Sequence, residues 1–200
     1  MTLPQAASGA ADTLNQAIAS CKTGSKGVYT MSVSIPANTV AARFETFNRD
    51  VQNGETGKQD VDLLMLDSTG ALVDYSMHTG ANESISLNSP PAGSYKLCLI
   101  GYELVNGAPA QLTLSSAIVG RGDVGGNLKV ALPGKVYGGS TASIGLSWSG
   151  LASGKRYVGG VQLFDEGGRL GGTTMLSVDT DNPVPQAAPV ARTRKLNSDI

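Results

Sequence analysis

Asp60-Val-Asp-Leu-Leu-Met-Leu-Asp-Ser-Thr-Gly70-Ala-Leu-Val-Asp-Tyr75 reads as two strands joined by an Asp/Gly turn. Apolar side chains at every second position fit a pleated strand with one buried face, and Asp and Gly accept the backbone of a tight turn. Val61, Leu63 and Met65 are the expected core residues of the first strand. Three of its carboxylates, Asp60, Asp62 and Asp67, fall within eight residues of one another.

The same period of two extends to both sides. Upstream, Val28 to Ile35 is a strand closed by Pro36, and Thr39 to Phe47 is the next, followed by a polar loop over 50–59 with Gly54 and Gly57. Downstream come Glu83 to Leu87, a turn at Pro90-Pro91-Ala-Gly93, Ser94 to Leu104, and Gln111 to Val119. Together they make about seven strands at the spacing of a β-sandwich. Gly120-Arg-Gly-Asp-Val-Gly-Gly126 is a glycine-rich seam. Beyond it, Asn127 to Leu132, Ser140 to Ser149, Arg156 to Phe164 and Thr173 to Val178 read as further strands, too few for an independent sandwich. The expected organisation is therefore a leading segment or linker (1–24), a β-sandwich (25–119), a linker (120–126), a small β unit (127–180) and a flexible tail (181–200). Ala11 to Ser20 is a candidate short helix with Asp12 near its start; a linker from an upstream domain fits the leading residues equally well.

Composition agrees with short strands and many turns. Of 200 residues, 40% are apolar and only 16% charged, with 26 glycines and 9 prolines. A net charge of −1 gives no electrostatic basis for nucleic acid or an anionic membrane, and no stretch approaches the ~18 apolar residues of a membrane span. Met1-Thr-Leu-Pro-Gln5 lacks the basic region and apolar run of a signal peptide, so the chain is expected to be either cytosolic or a piece of a longer secreted precursor. The two cysteines, Cys21 and Cys98, fit one disulfide or two unrelated buried thiols. Alternation in Tyr95-Lys-Leu-Cys-Leu puts Tyr95, Leu97 and Leu99 on a core face and Cys98 on the other, where a segment carrying Cys21 could cover it.

Catalytic patterns are sparse. The single histidine, His78, sits at a strand end and reads as a solvated loop residue, with no nucleophile motif beside it. Gly145-Leu-Ser-Trp-Ser-Gly150 misses the spacing of a nucleophile elbow. One histidine and two cysteines are too few for a structural zinc site, and no Gly-x-Gly-x-x-Gly opens a helix. Calcium is the one metal to weigh. Asp60 and Asp62 share a strand face, Asp67 lies at the turn and Asp50 in the preceding loop; the alternative is a solvated strand entry with Asp67 capping its own turn. Arg121-Gly-Asp123 is the integrin-type tripeptide inside a glycine linker, and Asn82-Glu-Ser84 is a glycosylation sequon.

Several stretches together resemble the C-terminal, non-catalytic region of secreted bacterial subtilisin-like serine proteases. Val40-Ala-Ala-Arg-Phe-Glu-Thr-Phe47 with Asp60 to Val73, and Glu83 to Tyr102, resemble the pre-peptidase C-terminal domain, a jelly-roll-like β-sandwich. Gly126 to Val130, Leu146-Ser-Trp-Ser-Gly-Leu151, Arg156 to Val161 and Gly172 to Asp179 resemble the small immunoglobulin/fibronectin-like segment that ends many such proteases. The resemblance covers roughly Val28 to Asp179. It implies an all-β, two-unit accessory region of a secreted, extracellular protease, not itself an enzyme, with protein substrate or the upstream catalytic domain as partner. It also implies calcium at the Asp60, Asp62 and Asp67 set, as related domains sometimes bind it. The alternative is a stand-alone adhesion or carbohydrate-binding module. That reading needs clustered exposed aromatics, whereas Phe44, Tyr95 and Trp148 read as core positions.

Overall fold

The structure is a computed structural model, and the residues it describes are 1–51, 59–137 and 139–181. Its elements, in order, are β1 (Thr2–Leu3), α1 (Leu14–Thr23), β2 (Val28–Ile35), β3 (Thr39–Glu45), β4 (Asp60–Leu66), β5 (Leu72–Ser76), β6 (Ser84–Asn88), β7 (Gly93–Glu103), β8 (Ala110–Gln111), β9 (Ser115–Gly120), β10 (Leu128–Ala131), β11 (Gly145–Trp148), β12 (Arg156–Phe164) and β13 (Leu170–Asp179). The fold is all-β, with α1 as its one α-helix among the described residues.

Two antiparallel sheets face each other, ordered β2-β7-β4-β5 and β6-β3-β9. The chain changes sheet at each connection among these strands except the β4–β5 hairpin, so strands adjacent in sequence contribute to opposite walls of one core. Val33, Ile35, Leu63, Met65, Leu97 and Leu99 meet Ala42, Phe44 and Ile85 there, all buried. Val61 joins the same cluster, so the core face expected for the opening hairpin is the observed one.

That alternation is only half of β4. Leu64 and Leu66 are as fully buried as Leu63 and Met65, in a second cluster with Cys98, Ile100, Ala11, Ala17 and Cys21. Helix α1 supplies the cover. It begins three residues later than expected, because Thr13 is its N-cap, accepting the Gln16 N–H at 3.3 Å. It stops where Gly24 enters the left-handed region at φ 65° and donates to the Ser20 carbonyl. Cys21 on its last turn and Cys98 on β7 form a disulfide with Cα atoms 5.8 Å apart.

Residues 1–24 are therefore not a linker. Leu3 is fully buried in the main core, β1 pairs with β8, and Gln5 bridges to Gly101. The leading strand crosses so close to Gly27 (φ 81°) that a Cβ there would overlap the backbone of Gln5 and Ala6. The expected strand from Gln111 to Val119 is split into β8 and β9, which serve different sheets.

Two compact units result, with one boundary between Gly125 and Gly126, inside the expected 120–126 linker, and a later return of the chain to the first unit. Met1–Gly125 and Val158–Leu176 form the first; Gly126–Tyr157 and Ser177–Ile200 form the second. The middle of the expected 127–180 unit thus belongs to the sandwich unit. Gln162 Nε2 donates to Ser89 Oγ at 2.9 Å, the Ser89 and Thr173 hydroxyls are 2.7 Å apart, and Gly160 is bare where a Cβ would come 2.5 Å from Val40 Cγ1. In the second unit β10 pairs antiparallel with β11, and Arg156 Nε lies 3.3 Å from Asp179 Oδ2. The tail expected from 181 lies, from 182 onward, outside the described residues, as does most of the loop expected over 50–59.

The Cys21–Cys98 bond closes a separation of 77 residues. In the chain-entropy model such a loop stabilises by roughly 4 kcal/mol. Replacing both cysteines by alanine is expected to lower the urea-unfolding free energy by about that amount. A loss within experimental error would mean that burial alone holds α1.

Candidate functional site

At one end of β4 the fold gathers carboxyl groups that the sequence leaves apart. Asp60 and Asp62 start β4, Ser76 ends β5, and Glu83 precedes β6. Glu83 is fully buried and accepts from the Ser76 hydroxyl, from the His78 backbone N–H at 3.1 Å, and lies 3.3 Å from His78 Nδ1. The Ser76 oxygen in turn accepts the Ser84 N–H at 3.2 Å. Two further side chains pin the loop: Asn48 Oδ1 accepts from Ala81 N–H at 2.6 Å, and Asn82 Oδ1 accepts from Asn48 N–H at 2.9 Å.

Asp62 is 3% exposed, and its Oδ2 has no hydrogen-bond partner; Asp60 Oδ1 is likewise buried and unpartnered. Loss of water makes a buried carboxylate expensive. Burial, then the neighbouring Asp60 and Glu83, push the Asp62 carboxyl up to about 7. Burial pushes Asp60 up to about 6 against a stabilising bond from the Gly80 N–H, with Glu83 and Glu103 adding to the rise. Burial also raises Glu83, opposed by its bonds from Ser76 and His78.

Asp67 does not join this group. It lies at the far end of β4, about 17 Å along the strand from Asp62 at ~3.3 Å per residue. Its Oδ1 accepts from Thr69 N–H at 2.8 Å, Thr69 Oγ1 at 2.6 Å and Ala71 N–H at 2.9 Å, which holds its carboxyl below the usual range. That is the self-capped turn weighed against calcium above. Asp60, Asp62 and Asp67 therefore cannot surround one ion, and among the described residues no group of three or more His, Cys, Asp or Glu has an arrangement that could hold a metal. Asp50 sits in a short 3-10 turn, Asn48–Asp50.

Ser76, His78 and Glu83 include the residue types of a hydrolytic triad, but not its geometry. Both Ser76 Oγ, at 3.1 Å, and Glu83 approach the same imidazole nitrogen, Nδ1, whereas a relay uses one ring nitrogen for the nucleophile and the other for the carboxylate. Ser76 is buried, and the His78 ring is 78% exposed, so a substrate would meet the base and not the hydroxyl. Arg121 and Asp123 are both engaged locally, Arg121 over the Phe164 ring and Asp123 accepting the Gly120 N–H at 2.7 Å.

The aromatic side chains depart from expectation. Phe44 and Tyr95 are core residues, but Trp148 is 50% exposed and Tyr137 65%. Tyr29, Tyr75, Tyr102 and Phe164 are also exposed. In the second unit Val130, Leu132 and Val136 stand exposed near Tyr137 and Trp148 in sequence. The alternation that marked Trp148 as core presumes a partner sheet, and β10–β11 is a sheet of two strands. Compared with protein-family models and with curated proteins, the sequence matches none.

The acidic cluster has a measurable signature. The folded pKa values of Asp60 and Asp62 lie above the ordinary 3.8, so the folded chain binds protons more tightly than the unfolded one. Stability should therefore rise as pH falls from 8 through about 7 and about 6, opposite to ordinary acid unfolding. Asp62→Asn should raise the unfolding free energy at pH 8 by on the order of 1–2 kcal/mol and flatten the profile between pH 8 and 5. A wild-type melting temperature that is level or falls over this range would refute the assignment.

Proposed function

We propose that this chain is a non-catalytic accessory β-module of an extracellular subtilisin-like peptidase, holding or positioning protein substrate. The observation that carries it is the Cys21–Cys98 disulfide buried beneath α1. A cross-link that fixes a helix onto a sheet suits an oxidising, extracytoplasmic setting. The resemblance over Val28 to Asp179 supplies the family context. Ser76, His78 and Glu83 do not have the geometry of a relay, since Ser76 and Glu83 approach the same imidazole nitrogen, which supports an accessory role.

The exposed aromatic and aliphatic side chains of the second unit, Val130, Leu132, Tyr137 and Trp148, supply a contact surface of the kind enriched at binding sites. The same residues favour a second reading, a carbohydrate-binding or adhesion module, because Trp and Tyr rings also stack on sugar faces.

Three measurements separate the readings. The purified chain should not be acylated by a fluorophosphonate probe, and stoichiometric labelling would make it an enzyme. Immobilised chain should retain unfolded casein, with Trp148→Ala and Tyr137→Ala each weakening retention about fivefold or more. Retention of polysaccharide but not casein, with the same sensitivity to Trp148, would replace the substrate-positioning reading by the carbohydrate one.

A further inference from the structure

Strand β2 ends the larger sheet, pairing with β7 on one side and, among the described residues, with no strand on the other. A free edge presents a row of unpaired N–H and C=O groups, which proteins usually blunt with charge, proline, a bulge or a short strand. Val28-Tyr-Thr-Met-Ser-Val-Ser-Ile35 has no such device. It is uncharged, it keeps one register with β7 from Val28↔Ile100 to Ile35↔Gly93, and its 8 residues make it the longest edge strand of the two sheets. The other edges differ. β5 has 5 residues with Asp74 at its centre and a register shift against β4. β6 has 5 residues, with the Ser86 hydroxyl taken by Arg43 Nη1 at 2.7 Å. β9 runs into the Arg121–Asp123 turn.

We infer that β2 pairs antiparallel with β2 of a second copy of this chain about a two-fold axis at Ser32, fusing the two larger sheets into one. In an antiparallel pair, directly opposed side chains lie on the same face. The axis at Ser32 sets Thr30 against Ser34 and Ser32 against itself on the solvent face, where all three are exposed. On the core face it sets Tyr29 against Ile35 and Met31 against Val33. Hydroxyl thus meets hydroxyl and apolar meets apolar, the pairings that stabilise a sheet.

A slip of one residue would oppose solvent-face and core-face side chains. An axis at Met31 would keep the faces but set Ile35 against Gly27. No charge is opposed to its own copy, whereas β5 paired about its centre would bring Asp74 against Asp74. An isologous contact needs this self-complementarity, which favours a second copy over a foreign extended segment.

Sedimentation of the full chain from micromolar to sub-millimolar concentration tests the pairing, with a monomer–dimer equilibrium expected. Ser32→Glu places a carboxylate beside Lys96 on β7, which suits the monomer, but opposes two carboxylates across the axis. It should weaken the dimer at least about fivefold without lowering the melting temperature. An equimolar mixture with Ser32→Lys should recover a heterodimer. A chain that stays monomeric throughout, or a dimer indifferent to Ser32→Glu, would overturn the inference. So would a monomer that instead captures a synthetic peptide of the Val28–Ile35 sequence without self-associating.

Discussion

Strands β4 and β7 are covered on both faces, and that double burial is the constraint on which the first unit depends. The sandwich partner covers Leu63, Met65, Leu97 and Leu99, while Leu64, Leu66, Cys98 and Ile100 need a third layer. Each such aliphatic group is worth roughly 1.5–3 kcal/mol when fully buried, so an absent cover would cost several kcal/mol. The layer available is α1, a helix of 10 residues, a length marginal in isolation. The dependence is mutual. The sheet needs the helix for burial, and the helix needs the sheet, the Thr13 and Gly24 caps and the Cys21–Cys98 bond to persist.

The same burial explains the electrostatics. Asp62 lies on the face of β4 that carries Leu64 and Leu66, so a carboxyl shares a strand with residues that require exclusion of water. An oxygen without a partner in that position favours the neutral acid. Glu83 is in a different situation. It is as deeply buried, but its bonds from Ser76 and His78 organise the β5–β6 connection, and they partly offset the cost of its charge. Burial raises both carboxyls, but Glu83 also clamps the β5–β6 connection through its bonds from Ser76 and His78, which Asp62 Oδ2 lacks.

How much of this the sequence discloses depends on the range of the interaction. The β4–β5 hairpin, the Tyr95/Leu97/Leu99 core face and the outward-facing Cys98 follow from period-two alternation and turn residues, which are local. Burial of Leu64 and Leu66 is not local, since a run of apolar residues on both faces says that something covers them without saying what. The register of the leading residues is equally hidden. Leu3 and Gln5 have no periodic neighbourhood, and their places are set by β8 and Gly101, about a hundred positions away. The acidic site shows the limit most clearly. Asp60, Asp62 and Asp67 look like one group because sequence distance stands in for spatial distance, yet a strand carries Asp67 away while a crossing connection brings Glu83 in.

Trp148 and β2 extend that lesson from burial to contact. Alternation assigns a residue to a face, and the core assignment of Trp148 assumes that the face is covered; two-stranded β10–β11 leaves the ring half in solvent. In β2 the faces are settled by Val33 and Ile35 in the core, and what stays open among the described residues is the edge. An open face and an open edge ask for different partners. Exposed rings offer area to anything that can displace water from them, so their contacts are tolerant of partner shape. A strand edge offers backbone groups in one register, and the side chains beside it accept only an opposing sequence of matching pattern. For β2 that pattern is supplied by β2 itself.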